Sequence, residues 1–257
     1  MPDTATQSPI DRLLAIMRQL RNPDGGCEWD LAQTFSTIAP YTIEEAYEVA
    51  DAIGGGDPAA ICDELGDLLL QVVFHSQIAT DDGLFGFDDV ANAISAKMER
   101  RHPHIFGDGK TNDVRQQWET IKAAERSVDG STSALSGVAL SLPSLLRAQK
   151  LQGRAARVGF DWPDTAGPRD KIVEELAEVA AASSDADRHE EIGDLLFAVV
   201  NYARKLGVDA ESALRDANGK FTRRFAAMED RAGGSLSGLP LDTQEAHWQA
   251  VKVSERP

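Results

Sequence analysis

Positive charge is what this chain most lacks. Its 26 lysines and arginines stand against 42 aspartates and glutamates, a formal net charge of −16 at pH 7. That deficit excludes a broad basic face for binding a nucleic acid polymer. A phosphate substrate stays possible where divalent cations sit between carboxylates and phosphate oxygens. Aromatics are 6% of the residues and hydrophobics 42%. The latter suffice for a core, and the abundance of alanine and leucine favours helices over sheets. Cysteine is scarce too. Cys27 and Cys62 form neither a CxxC pair nor any metal-ligand spacing; they fit a reducing compartment and read as small, partly buried residues. No apolar run is long enough to span a bilayer. The segment MPDTATQSPIDRLLAIM lacks a basic stretch followed by an apolar one, so a cytoplasmic protein is expected.

What is present is helical periodicity. Over 10–21 the apolar positions are Ile10, Leu13, Leu14, Met17 and Leu20, and Asn22–Gly26 breaks the pattern. A second helix is predicted over 42–53, ended by Gly54–Gly56 and Pro58. A third covers 59–80, with Ile61, Leu65, Leu68, Leu69, Val72 and Val73 in one stripe, and a fourth covers 88–101. RHPHIFGDGKTND reads as a loop, 113–126 as a short helix and Ser127–Gly137 as a small, polar linker. Beyond it, SLPSLLRAQKLQGRAA, 169–182, 187–206, 209–230 and 242–253 read as helices. No segment alternates like a strand, so the expected class is all-α.

The order of these segments repeats, and so do their residues. Trp29 in EWD matches Trp162 in FDW. EEAYE at Glu44–Glu48 matches EELAE at Glu174–Glu178, and DELGDLL at Asp63–Leu69 matches EEIGDLL at Glu190–Leu196. KMERR at Lys97–Arg101 matches KFTRR at Lys220–Arg224, and WETIK at Trp118–Lys122 matches WQAVK at Trp248–Lys252. Five matched blocks in one order indicate a duplication. The expected division is 1–126, a linker at 127–139, and 140–257.

Each half carries two pairs of acids three residues apart. The first has Glu45/Glu48 and Glu64/Asp67; the second has Glu175/Glu178 and Glu191/Asp194. That spacing puts each pair on one helical face. In the second half the acids fall beside the stripe of Ile192, Leu195, Leu196, Val199, Val200 and Ala203, and beside that of Ile172, Leu176, Val179 and Ala180. Two such helices packed together bring four carboxylates to the rim of one core. Four acids at close range stay ionised together only if cations neutralise them. Oxygen-only ligands suit Mg²⁺ or Mn²⁺ rather than zinc. No Glu-x-x-His pair is present, which argues against a di-iron carboxylate oxidase. The competing reading is a solvated helix face. Glu45 has another competitor, because Thr42-x-x-Glu45 fits a capping box.

EEAYEVADAI, DELGDLLLQVVFHSQ, ERRHPHIF and VGFDW, with the repeated EExxE…ExxD pattern, closely resemble the MazG family over nearly the whole chain. That family belongs to the all-α nucleoside triphosphate pyrophosphatases, relatives of the dimeric dUTPases. The resemblance implies tandem helical bundles intertwined in a tight homodimer. It also implies Mg²⁺-dependent hydrolysis of nucleoside triphosphates to monophosphate and pyrophosphate. By motif, the ligands would be Glu175, Glu178, Glu191 and Asp194, with Glu45, Glu48, Glu64 and Asp67 as first-half counterparts. Glu174 is the candidate to orient the attacking water, or is simply a solvent-facing acid. Lys220, Arg223 and Arg224, and more weakly Lys171, are candidates to stabilise the leaving pyrophosphate, or else pair with surface acids. Trp248 either stacks on the base or fills a core.

The halves differ seven residues past the last acid, where Asn201 stands in the second and Phe74 in the first. Asn can bind substrate and Phe cannot. The family also places activity in the C-terminal domain, so 140–257 is the expected catalytic domain. The resemblance leads one to expect a lysine two residues before His189; Asp187 stands there instead, and Arg188 is the possible substitute. His102 and His104 flank Pro103, which implies an extended loop; both read as structural or surface residues. A nucleotide-sensing or protein-binding module without turnover, or a purely structural bundle, would carry the same charged helices.

Overall fold

The computed structural model describes residues 8–107 and 133–255. Among them are 11 α-helices and no strand. Contacts divide the chain into two compact units, Met1–Ile121 and Lys122–Pro257. The predicted helix 113–126 and residues 127–132 of the predicted linker lie outside the described residues.

The first unit holds α1 (Pro9–Leu20), α2 (Glu28–Ala32), α3 (Phe35–Gly55), α4 (Pro58–Asp81), α5 (Phe87–Arg101) and α6 (Pro103–Phe106). The α3–α4 hairpin is its spine. Gly56 ends α3 in the left-handed region at φ 75°, where glycine lacks the Cβ clash. Asp57 then caps α4, accepting from the Ala59 amide at 3.0 Å, with Pro58 at the first helical position. Met17, Ile38, Val73, Phe74 and Ile78 form the core between α1, α3 and α4. Arg21 is buried beside it. Its guanidinium bonds Asp81 at 2.7 Å and the Asp30 carbonyl at 2.5 Å, so its charge is paired.

The second unit holds α7 (Ser144–Arg157), α8 (Ala166–Ala181), α9 (Asp185–Lys205), α10 (Ala210–Ala232) and α11 (Leu241–Ser254). Its spine is the α8–α9 hairpin, against which α7 packs. Ser184 caps α9 in a reciprocal box with Asp187. Met228, Leu236 and Val251 make a separate small core between α10 and α11, with Trp248 against it.

Several sequence expectations need correction. Helix α3 begins at Phe35, not at 42, because Thr34 and Thr37 form the capping box. Thr42 therefore lies inside the helix, where its hydroxyl meets the Ile38 carbonyl and His75 Nε2. The capping role for Glu45 disappears. RHPHIF is not an extended loop: Pro103 starts the single turn α6, where its missing N–H costs nothing. Cys27 is half-buried, but Cys62 is exposed. The apolar stripe of α9 is only partly core. Val200 is buried, whereas Ile192, Leu196 and Val199 are exposed, Leu196 by 51%. Periodicity fixes which residues share a face, not what covers it.

Candidate metal centre and adjoining cavity

The hairpin of the second unit brings together three of its four predicted acids; Asp194 is not in the group. Carboxylate oxygens of Glu175, Glu178 and Glu191 all lie within 4.8 Å of one another. Glu175 is only 2% exposed. Lys171 Nζ stands 2.6 Å from its Oε1, while its Oε2 is buried without a hydrogen bond. Partial burial and the neighbouring carboxylates push Glu178 and Glu191 above the usual glutamate range; for Glu191 the neighbours are Glu178, Glu175 and Asp194. Lys171 is held above its ordinary value by Glu175 and Glu174.

The first unit repeats the arrangement. Glu45, Glu48 and Glu64 bring oxygens within 4.8 Å of one another. Burial, Asp67 and Glu48 raise Glu45; burial, Glu48 and Asp67 raise Glu64. Gln71 Nε2 donates to Glu45 at 3.3 Å. Converging oxygen donors that resist joint ionisation, with one buried oxygen unpartnered, fit a hard divalent cation.

Behind the second cluster lies a cavity of about 520 Å³. Glu175 and Asp194 form part of its wall beside Trp162, Phe197, Asn201 and Gln152. The loop carrying Trp162 is tied to α9. Asp161 pairs with Arg204 and Lys205, and Lys205 also donates to the Trp162 carbonyl at 2.6 Å. These cations hold the Asp161 carboxyl below its usual range, the hydrogen bond from Arg204 being the main cause. Gly167 is required here, because a Cβ would collide with the Trp162 ring.

Other predicted residues fall elsewhere. Glu174 is exposed and bonded to Lys171 at 3.0 Å. Arg224 bonds Glu255 at 2.7 Å and lies 5.7 Å from the centroid of the Trp248 ring. Trp248 packs on Phe221. None of Lys220, Arg223, Arg224 and Trp248 lines the cavity. Arg188 bonds Asp185, and the Asp187 carboxylate accepts from the Ser184 amide in the capping box. His102 and His104 rings lie 5.7 Å apart beside α5. Sequence reasoning missed Gln152 and Arg204. Trp162 was visible as a repeated tryptophan, but nothing in the spacing gave it a site.

Residues 33–106 and 169–227 match the MazG nucleotide pyrophosphohydrolase domain. A nucleoside triphosphate pyrophosphohydrolase of Escherichia coli strain K12 is 51% identical, covering 96% of this chain and 98% of its own length. A protein of Thermotoga maritima named nucleoside triphosphate pyrophosphohydrolase/pyrophosphatase MazG is 44% identical, over 95% of each chain. A nucleoside triphosphate pyrophosphohydrolase of Mycobacterium tuberculosis is 33% identical, over 99% of this chain and 73% of its own. With two segments that together make up about half of the chain matching that domain, and relatives similar along nearly its whole length, this chain belongs to the MazG family.

Proposed function

We propose that the chain hydrolyses nucleoside triphosphates to nucleoside monophosphate and pyrophosphate, with Mg²⁺ or Mn²⁺ as cofactor and several bases accepted. One observation carries this reading: Glu175 belongs both to the carboxylate cluster and to the cavity wall, which Asp194 also lines, so a ligand in the cavity has its polar end at the acids. Trp162, Phe160 and Phe197 suit the flat faces of a base. Glu175, Glu178, Glu191 and Asp194 would hold the ions, which supply charge neutralisation and polarise the bridging phosphate. Lys171 bridges Glu174 and Glu175. A phosphate that draws Lys171 away would free Glu174 to orient a water.

In the same reading, 140–257 is the main catalytic domain, 127–139 the linker, and 1–126 a scaffold or a weakly active copy. Two copies of the chain pair through apolar faces, supported by exposed Val173, Leu176, Ile192, Leu196 and Val199 on α8 and α9. Lys220, Arg223 and Arg224 then serve the leaving pyrophosphate from the second copy, since none lines the cavity of its own chain.

The test is a panel of ribo-, deoxyribo- and modified nucleoside triphosphates, assayed for pyrophosphate with and without Mg²⁺. Mg²⁺-dependent release from more than one base is expected. No pyrophosphate from any nucleotide would overturn the proposal.

A further inference from the structure

Two amide side chains in the cavity have their orientation fixed from behind. Gln152, on α7, is only 6% exposed. Its Nε2 donates to the Phe197 carbonyl at 2.8 Å. Turned over, the amide would set oxygen against oxygen, so Oε1 must face the other way. That Oε1 is buried and accepts no hydrogen bond, although Gln152 lines the cavity. Removing an amide oxygen from water without a donor is unfavourable, and such groups in native folds call for a partner.

Asn201, on α9, is fixed with the opposite polarity. Arg204 Nη2 and Nε donate to its Oδ1 at 2.7 and 3.1 Å. A guanidinium has no acceptor, so the Asn201 oxygen must face it and Nδ2 keeps the free N–H groups. Arg204 is itself anchored by Asp161. Gln152 and Asn201 both line the cavity, so an unpartnered acceptor on α7 and a donor on α9 belong to residues of its wall.

We propose that Gln152 Oε1 and Asn201 Nδ2 read the edge of the nucleobase, admitting any base that offers an N–H beside an acceptor and discriminating against bases without that N–H. This rests on the nucleotide reading of the site. Adenine and cytosine meet the requirement with an amino group and a ring nitrogen; guanine and uracil meet it with a ring N–H and a carbonyl. Two amides thus select for an edge pattern rather than for one base, and tolerance among common bases follows. Gln152 is a specificity residue on this account, with no part in the phosphate chemistry.

The experiment compares ATP with purine riboside triphosphate, which differs only by lacking the amino group. In the wild-type protein KM for purine riboside triphosphate is expected to be about tenfold higher, with kcat within about twofold. Gln152→Met keeps the volume and removes the acceptor. It should raise KM for ATP to that of the purine analogue and collapse the ratio to near one. Asn201→Ala should raise both KM values together, because both ligands keep the ring acceptor. Affinities for the α,β-methylene analogues of both nucleotides, measured by calorimetry with Mg²⁺, run in parallel and need no turnover. A wild-type ratio near one, or a ratio that survives Gln152→Met, overturns the inference. Absence of hydrolysis with the affinity ratio intact would instead count against the proposed reaction. The wild-type ratio needs no variant, so a folding defect in Gln152→Met cannot hide the answer.

Discussion

Phe74 and Asn201 occupy matching positions on α4 and α9, seven residues beyond Asp67 and Asp194. Around them the two units diverge. Phe74 is 4% exposed, edge-on to Trp29 with ring centroids 6.4 Å apart, and Arg21 lies 5.6 Å from its ring centroid. Asn201 and Trp162 instead face a cavity. Tyr41 stands where the second unit has Lys171, and Gln71 where it has Ala198. Both units gather three carboxylates within the same span. The acids converge alike in either unit; the residues behind them differ.

The sharpest way to break this comparison is to damage one acid in each unit. Asp194 and Asp67 are both exposed, so charge reversal leaves each hairpin folded. Asp194→Lys is expected to lower kcat for pyrophosphate release by about a thousandfold, since it replaces a carboxylate proposed to hold the divalent ion with a charge that repels it. Asp67→Lys should change it by less than about twofold. Equal losses from the two variants would mean that the first unit turns over substrate as well.

A smaller effect comes from exchanging the residues behind the acids. Asn201→Phe fills the cavity and should raise KM by about a hundredfold, with the melting temperature preserved. Phe74→Asn removes a core ring and leaves a polar group against Trp29. It should destabilise the first unit by about 3 kcal/mol in urea titration. An Asn201→Phe variant that binds nucleotide normally would show that the cavity is not the nucleoside end.

These contrasts were partly legible before any coordinates. The acids stood out because duplication printed the same spacing twice, and the Asn201/Phe74 difference stood out for the same reason. Helices longer than three turns announced themselves through apolar periodicity. The start of α3 did not, because Pro40 sits early in the helix and forfeits only one bond, while the capping pair lies further back at Thr34 and Thr37. Gln152 and Arg204 were invisible for another reason. Gln152 reaches Phe197 across 45 residues, and Arg204 reaches Asp161 across 43. Neither spacing leaves a local periodic mark. Trp248 and Arg224 lie on the repeated motif, yet they pack against each other on α10 and α11 and do not reach the cavity.

The finest difference between the units is in their response to protons. Glu45 and Glu64 in the first unit, and Glu178 and Glu191 in the second, all have raised pKa values in the fold. An acid with a raised folded pKa favours the native state when protonated. That contribution is complete below the unfolded value of about 4.5 and is lost as pH rises through the folded value. In the first unit His75 has the opposite sign. Burial lowers its pKa, so its contribution is present above the unfolded value and is lost as pH falls through that value toward the folded one. At the position matching His75 the second hairpin has Tyr202. In EDTA, acidification from about pH 7 to about pH 5 should therefore raise hydrogen-exchange protection in α8–α9, after correction for intrinsic rates, more than in α3–α4. Mg²⁺ at neutral pH should raise protection in both hairpins and flatten the slope in α8–α9, because bound cations replace protons as the neutralising charge. Protection in α8–α9 that climbs with pH in EDTA would show that its carboxylates do not strain one another, and the contrast between the two hairpins would lose its electrostatic basis.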